Sequence, residues 1–276
     1  MKSINCNGTL IDLTSPKIMG ILNITPDSFF DGGKYNNSTA IINHVEKMLS
    51  EGATFVDVGA YSSRPGAIHI SEEEELERIS SVIKLLVKEF PHLLISVDTF
   101  RSKIANYCIN EGASIVNDIS AGNLDSEMFA TIAKLQVPYI IMHMQGKPQN
   151  MQAKPIYNDV VKDVLFYFSE KINKLRSLGI NDIITDVGFG FGKTVDQNYQ
   201  LLKHLELFKK LETPSLVGLS RKSMLFKPLE VSQNNALNAT TSANTIALLN
   251  GANILRVHDV KEAVEAIKIV ELLNKN

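Results

Sequence analysis

LLISVDTFRSKIANYCINEGASIVNDIS, residues 93–120, holds two short apolar runs separated by one helix-length segment, and the chain is built by repeating that unit. LLISVDT and SIVNDIS are rich in Ile, Leu and Val, and each carries a polar residue near its end, Asp98 in the first and Asn117 in the second. The segment between them stops at Gly112, a residue type that supplies the left-handed conformation many helix ends need. Upstream lie KIMGILNI (17–24) and TFVDVGA (54–60). Downstream lie PYIIMHM (138–144), DIITDVG (182–188), PSLVGLS (214–220) and ANILRVH (252–258). Near-continuous apolar character fits strands covered on both faces, as in a parallel sheet. Helical patterns such as STAIINHVEKMLSEG separate them. Eight alternations with no obvious edge strand predict an α/β fold, a closed eight-stranded (β/α)8 TIM barrel spanning residues 1–276 as one domain. Ahead of it, INCNGTLIDL reads as a short β-hairpin turning at Asn7-Gly8 and covering the N-terminal end of the barrel.

Composition narrows the partners. With 28 Lys and Arg against 30 Asp and Glu, the net charge of -2 gives no support to a nucleic-acid or polybasic membrane partner. Cys6 and Cys108 are too few for a disulfide scaffold or a thiolate metal site. The first residues carry no secretory pattern and no run reaches the ~18 apolar residues of a membrane span, so a cytoplasmic setting is expected. At Ser71, with Glu74 three residues on, the sequence shows a capping-box arrangement, and Glu72 to Glu75 read as a solvated helix start.

A chemically active residue recurs near the end of almost every run: Asn23, Asp57, Asp98, Asn117, His143, Asp186, Ser220 with Lys222, and Arg256 with His258. Successive intervals of 19 to 43 residues match one strand, loop and helix, and a parallel barrel gathers such positions at one rim. Asp98, Asn117 and Asp186 could form a structural network, or could recognise a flat heterocycle such as an aminopyrimidinone edge, with Lys222 as a donor and Met142 and Phe191 as apolar contacts. Asn23 offers a neutral oxygen that can join the shell of a hard cation beside waters and phosphate oxygens. Arg64, in the loop DVGAYSSRPGA (57–67), has donors suited to phosphate or carboxylate. GLSRKSM (218–224) brings serine, arginine and lysine to a strand–helix junction, and Arg256 and His258 are spaced to share one strand face. With Asn23 on the neighbouring strand, they make a credible pyrophosphate site. The glycines of DVGFGFGKT (186–194) lack dinucleotide or P-loop spacing; they read as sites of close backbone approach to a ligand, with Phe189 or Phe191 turned inward.

GILNITPDSFFDGG (20–33), VDVGAYSSRPGA (56–67), SVDTF (96–100), IVNDISAG (115–122), IMHMQGKP (141–148), DVGFGFGKT, GLSRKSM and RVHDV (256–260) together resemble the dihydropteroate synthase family along nearly the whole chain. That resemblance implies condensation of 6-hydroxymethyl-7,8-dihydropterin diphosphate with 4-aminobenzoate, and a homodimeric sulfonamide target. By motif position it implies Asn23 as the ligand of Mg2+, and Asp98, Asn117, Asp186 and Lys222 as pterin-binding residues, with Met142, Phe191 and Arg256 around the ring. Asn23, Arg64, Arg256 and His258 match the diphosphate side, and Ser63, Arg64, Pro65, Phe191 and Ser220 the aminobenzoate region. Asp57 matches a residue that helps order loop closure. The apolar helix pattern TTSANTIALLNG (240–251) is compatible with a dimer face or an ordinary core face. A related pterin barrel that transfers methyl groups shares the pterin-facing residues, but the first two loops and SRK favour a diphosphate substrate. The chain departs from the family at Ala60, Tyr61 and Ser63, where GGEST is usual, and at Val187, where proline is usual.

Overall fold

Each apolar run forms one strand of a closed parallel barrel. The computed structural model describes residues 3–24, 34–62, 69–146 and 155–275, the side chains of 34–37 excepted. A hairpin of β1 (Ser3–Cys6) and β2 (Thr9–Asp12) comes first. The barrel strands are β3 (Lys17–Asn23), β4 (Phe55–Gly59), β5 (Leu94–Asp98), β6 (Ile115–Asp118), β7 (Tyr139–Met142), β8 (Ile183–Asp186), β9 (Ser215–Val217) and β10 (Ile254–Val257). They pair in chain order, and β10 closes on β3. Helices follow the strands: α1 (Lys34–Ser50), α2 (Glu72–Glu89), α3 (Ser102–Asn110), α4 (Met128–Leu135), α5 (Val160–Ser177), α6 (Val195–Lys203), α7 (Ser223–Phe226), α8 (Leu237–Leu249) and α9 (Val260–Lys275).

The apolar runs conceal a period-two alternation that only closure reveals. Met19, Phe55, Ile115, Ile140, Ile184, Leu216 and Ile254 form one buried cluster inside the lower barrel, joined by Ile4, Cys6 and Leu13 from the hairpin side. Their strand neighbours Ile18, Val56, Val116, Ile141, Ile183, Val217 and Leu255 belong to a second cluster that packs outward against the helices. Both faces are dry, so both are apolar. The hairpin plugs the N-terminal end as expected, and its turn residues Asn7 and Gly8 both have positive φ, 51° and 84°, as a two-residue primed turn requires.

Helix ends follow their predicted chemistry with one exception in kind. Gly52, Gly112, Gly179 and Gly251 have φ of 106°, 116°, 78° and 96° after α1, α3, α5 and α8. Ser71 caps α2 by accepting from the Glu74 amide at 3.1 Å, but the Glu74 carboxylate turns to Arg78 at 2.5 Å, so the described cap has one arm. A complete capping box stands instead at Thr194 and Gln197, at the start of α6. The solvated-start expectation fails at Glu75. It is fully buried, accepts from Thr99 at 2.7 Å and pairs with Arg101 at 2.6 Å. One turn into α2, its side chain faces the barrel rather than water, and burial raises its pKa against the pull of Thr99 and Arg101. Cys6 and Cys108 are free and buried. Among the described residues no helix is long and apolar enough to cross a membrane.

Candidate active site

Strand register aligns the polar residues in two groups, and Asp186 stands two residues further along than the position in register with Asn117. Asn23, Gly59, Asp98 and Asn117 are successive partners across β3 to β6, and Met142 stands opposite Asp186 across β7 and β8. Two residues below Gly59 and on the same face, Asp57 is fully buried. It accepts from the Asn117 amide at 3.0 Å and from Arg256 Nε at 2.6 Å, while its Oδ1 has no partner among the described residues. Arg256 also donates through Nη2 to Asp98 at 2.8 Å. A residue from the last strand therefore bridges two carboxylates 199 and 158 positions earlier in the chain.

Burial drives the electrostatics. With 17% of its side chain exposed, Asp98 has its carboxyl pushed up to about 7 by burial, reinforced by Asp57 and resisted by Arg256. Burial also raises Asp186, against Lys222, the Gly188 amide and Arg256. Lys222 is pulled down to about 8 by burial, with Asp186 opposing and Arg256 adding to the fall. For Arg256 burial works against the charge, but Asp57 and Asp98 outweigh it and hold the guanidinium above its ordinary value. The mouth thus presents two carboxyls, an amide and an ammonium, which is the donor and acceptor set a flat heterocycle edge needs. Apolar contact comes from Phe100, Ile119 and Met142, packed with Tyr61, Leu124, Met144 and Phe191.

The glycine-rich loop corrects one expectation. A Cβ on Gly188 would lie 2.0 Å from the His143 carbonyl oxygen, and one on Gly192 would lie 2.6 Å from that of Gln145. These glycines serve close approach to the chain's own backbone. Of the two phenylalanines, Phe189 is fully buried in the helix-facing core, whereas Phe191 faces the mouth with the Lys222 ammonium 4.9 Å from its ring centre. Lys222 also donates to the Phe189 carbonyl at 2.5 Å. Lys193, which the sequence did not single out, is 3% exposed, and its Nζ donates to the carbonyls of His143, Gly188 and Phe191. Burial lowers its pKa to about 7, with Asp186 resisting. Burial, then Lys193, lowers His143 to about 3, leaving a neutral imidazole edge-on to Tyr167.

On the same rim, past the ends of β9 and β10, Ser220 and His258 meet, with Oγ 3.1 Å from Nδ1 and accepting the His258 amide at 3.2 Å. His258 lies one residue past the end of β10 and is exposed, whereas Arg256 is half-buried within the strand. Arg221 leaves the group altogether: its φ is 54°, and it makes a two-pronged bond to Asp259 at 2.9 and 2.8 Å. Asn23 ends β3, half-buried. Ser63, Arg64 and Pro65 lie outside the described residues. Tyr61, at their N-terminal side, meets His69 beyond them with its hydroxyl at 3.1 Å, and its ring stands edge-on to Phe100. Arg101, paired with Glu75, also donates to the carbonyls of Ile70 and Ser71. Val187 is buried in the core.

Residues 19–258 match a family model described as a pterin binding enzyme. Dihydropteroate synthase of Escherichia coli (strain K12) is 43% identical over 266 residues, covering 96% of this chain and 94% of its own. That of Clostridium beijerinckii is 38% identical over 259 residues, with 93% of each covered. Among solved structures, Yersinia pestis dihydropteroate synthase with a sulfonamide drug superposes with a TM-score of 0.93 at 42% identity, over 99% of this chain and 100% of the other. The Xanthomonas albilineans enzyme in complex with 7,8-dihydropteroate gives 0.88 at 34% identity, over 99% and 98%.

Proposed function

The chain belongs to the dihydropteroate synthase family, and from that premise we propose how its strand-end groups divide the reaction. It joins 6-hydroxymethyl-7,8-dihydropterin diphosphate to 4-aminobenzoate, giving 7,8-dihydropteroate and diphosphate. The observation that carries the division of labour is the gathering of Asp98 and its register partner Asn117 with Asp186 and Lys222, whose charges act on one another at the barrel mouth. Asp98 and Asp186 accept from the pterin ring's N–H groups, Asn117 adds an amide, and Lys222 donates to a ring oxygen or nitrogen. Met142 and Phe191 cover the ring. Arg256 ties Asp57 to Asp98 and lends its remaining donors to the diphosphate, together with Asn23, Arg64 and His258. Ser63, Arg64, Pro65, Phe191 and Ser220 receive the aminobenzoate, and Asp57 helps order the loops around the leaving group.

The bond from the exocyclic methylene to oxygen breaks with its electron pair leaving on diphosphate. The neutral aromatic amine attacks the same carbon and releases a proton to solvent, so no strong enzyme base and no covalent protein intermediate are needed. Donors aimed at the departing oxygens stabilise the charge that develops there. Among the described residues no three His, Cys, Asp or Glu side chains group at metal-binding spacing. Asn23 offers one neutral oxygen, a donor set that fits Mg2+ held mainly by phosphate oxygens and water, and the ion would neutralise diphosphate charge when bound. Diphosphate release is the test. It should require the pterin substrate, aminobenzoate and Mg2+ together; release that ignores aminobenzoate refutes the condensation, and release that ignores Mg2+ refutes the metal.

A homodimer is part of the same proposal. α8 leaves Ile246 and Leu249 exposed, and the adjacent α9 leaves Ile269, Leu272 and Leu273 exposed. Exposed apolar side chains on two neighbouring helices are what a second copy covers. The buried side of α8, with Thr240, Ala243, Asn244, Ala247 and Leu248, is ordinary core.

A further inference from the structure

Lys193 is a buried charge that the proposed reaction does not use. Its ammonium has three N–H donors and finds three carbonyl oxygens, those of His143 at 3.1 Å, Gly188 at 2.9 Å and Phe191 at 3.0 Å. The first belongs to the end of β7, the other two to the loop that leaves β8. The ammonium therefore stitches two neighbouring strand exits together. Around it the chain takes left-handed turns at Gly188, Gly190 and Gly192, with φ of 69°, 81° and 61°. Gly188 and Gly192 lie so close to residues 143 and 145 that neither accepts a Cβ. The loop is wrapped on a cation.

The wrapping fixes where Phe191 points. Its carbonyl turns inward to Lys193 and its amide donates to Gly188 O at 3.0 Å, while its ring packs beside Phe100, Ile119 and Met142 at the mouth. Lys222 holds the outer side of the same turn through the Phe189 carbonyl. A side chain of similar length without donors would strand the inward carbonyls, and a buried unpaired polar group is costly enough for the turn to rearrange instead.

We propose that Lys193 is a positioning residue for the condensation, acting through the 188–191 turn to hold Phe191 against the substrate rings on the aminobenzoate side. This rests on the assignment of Phe191 to the aminobenzoate region made above. Lys193 touches neither substrate. Its removal should act on the same step as a change at Phe191, and the two effects should not multiply.

Steady-state kinetics with both substrates would be measured for Lys193→Met, Phe191→Leu and the double variant. Lys193→Met should raise the aminobenzoate KM on the order of tenfold, with a clearly smaller rise in the pterin diphosphate KM, whose ring Phe191 covers together with Met142. The double variant should be no worse than the weaker single one, because residues that act as a unit couple by energies equivalent to such factors. Multiplicative effects, or an equal rise in both KM values, would assign Lys193 a general structural role and overturn the proposal. A strong Phe191→Leu effect beside a silent Lys193→Met would overturn it while leaving the site assignment intact. A silent Phe191→Leu would overturn the site assignment and the proposal with it. Should Lys193→Met fail to fold, Lys193→Gln, whose amide keeps two donors, enters the same cycle with the same outcomes decisive.

Discussion

Replacing Asp98 by asparagine separates recognition from folding. The carboxylate accepts from Arg256 at 2.8 Å, but Arg256 keeps its shorter bond to Asp57 at 2.6 Å, so the substitution does not leave the guanidinium unpaired. Burial lifts Asp98 from 3.8 to about 7. A folded-state pKa above the unfolded value means the associated stability is full below the unfolded value and is lost as pH rises through about 7. At pH 8 the Asp98 charge therefore opposes folding, and Asp98→Asn should leave the melting temperature unchanged or raise it. Pterin affinity should move the other way. A hydrogen bond to a charged group contributes roughly 1.5–3 kcal/mol, so its loss should weaken binding about tenfold to a hundredfold. In the parent protein that affinity should decline as pH falls through about 7 and the acceptor takes a proton; in Asp98→Asn that component should vanish. Titration calorimetry with a pterin ligand between pH 6 and 8, beside thermal melts, measures both. Unchanged affinity with a lowered melting temperature would refute the reasoning and make Asp98 a structural residue.

Other positions give independent tests. Glu75→Ala removes one partner of a buried pair, and such losses typically destabilise by about 3–5 kcal/mol; denaturant unfolding that shows less than about 1 kcal/mol would mean Arg101 is satisfied without it. Gly179 and Gly188 both have positive φ, but a Cβ at Gly179 meets nothing within 4 Å whereas one at Gly188 meets the His143 oxygen at 2.0 Å. Gly179→Ala should cost about 1–2 kcal/mol, the penalty of the left-handed region alone, and Gly188→Ala should cost clearly more; equal losses in urea titrations would refute the steric argument. Light scattering at micromolar concentration should give twice the chain mass of 30.5 kDa, and Leu272→Glu should shift it toward one chain. A parent protein of one chain mass would refute the dimer.

Period, punctuation and turn chemistry are local properties, and they made the barrel legible. Eight apolar runs, four glycine-ended helices and Asn7-Gly8 all fell where the sequence placed them, and Asp98, Asn117, Asp186 and Lys222 sit together as their strand ends implied. What the sequence could not decide depends on which way a side chain faces once the barrel closes. Glu75 looks like its three solvated neighbours until α2 is docked and turns that one carboxylate toward Arg101, 26 residues on. Arg221 stands between Ser220 and Lys222 in the chain, yet its left-handed backbone sends it to Asp259. Phe189 and Phe191 are equivalent in sequence and differ in burial. Lys193 is not singled out by the sequence, and only the juxtaposed ends of β7 and β8 supply its carbonyls. Local chemistry determined the elements and the rim; closure determined which charges meet, because burial, which no spacing in the chain encodes, sets the partners each charge must find.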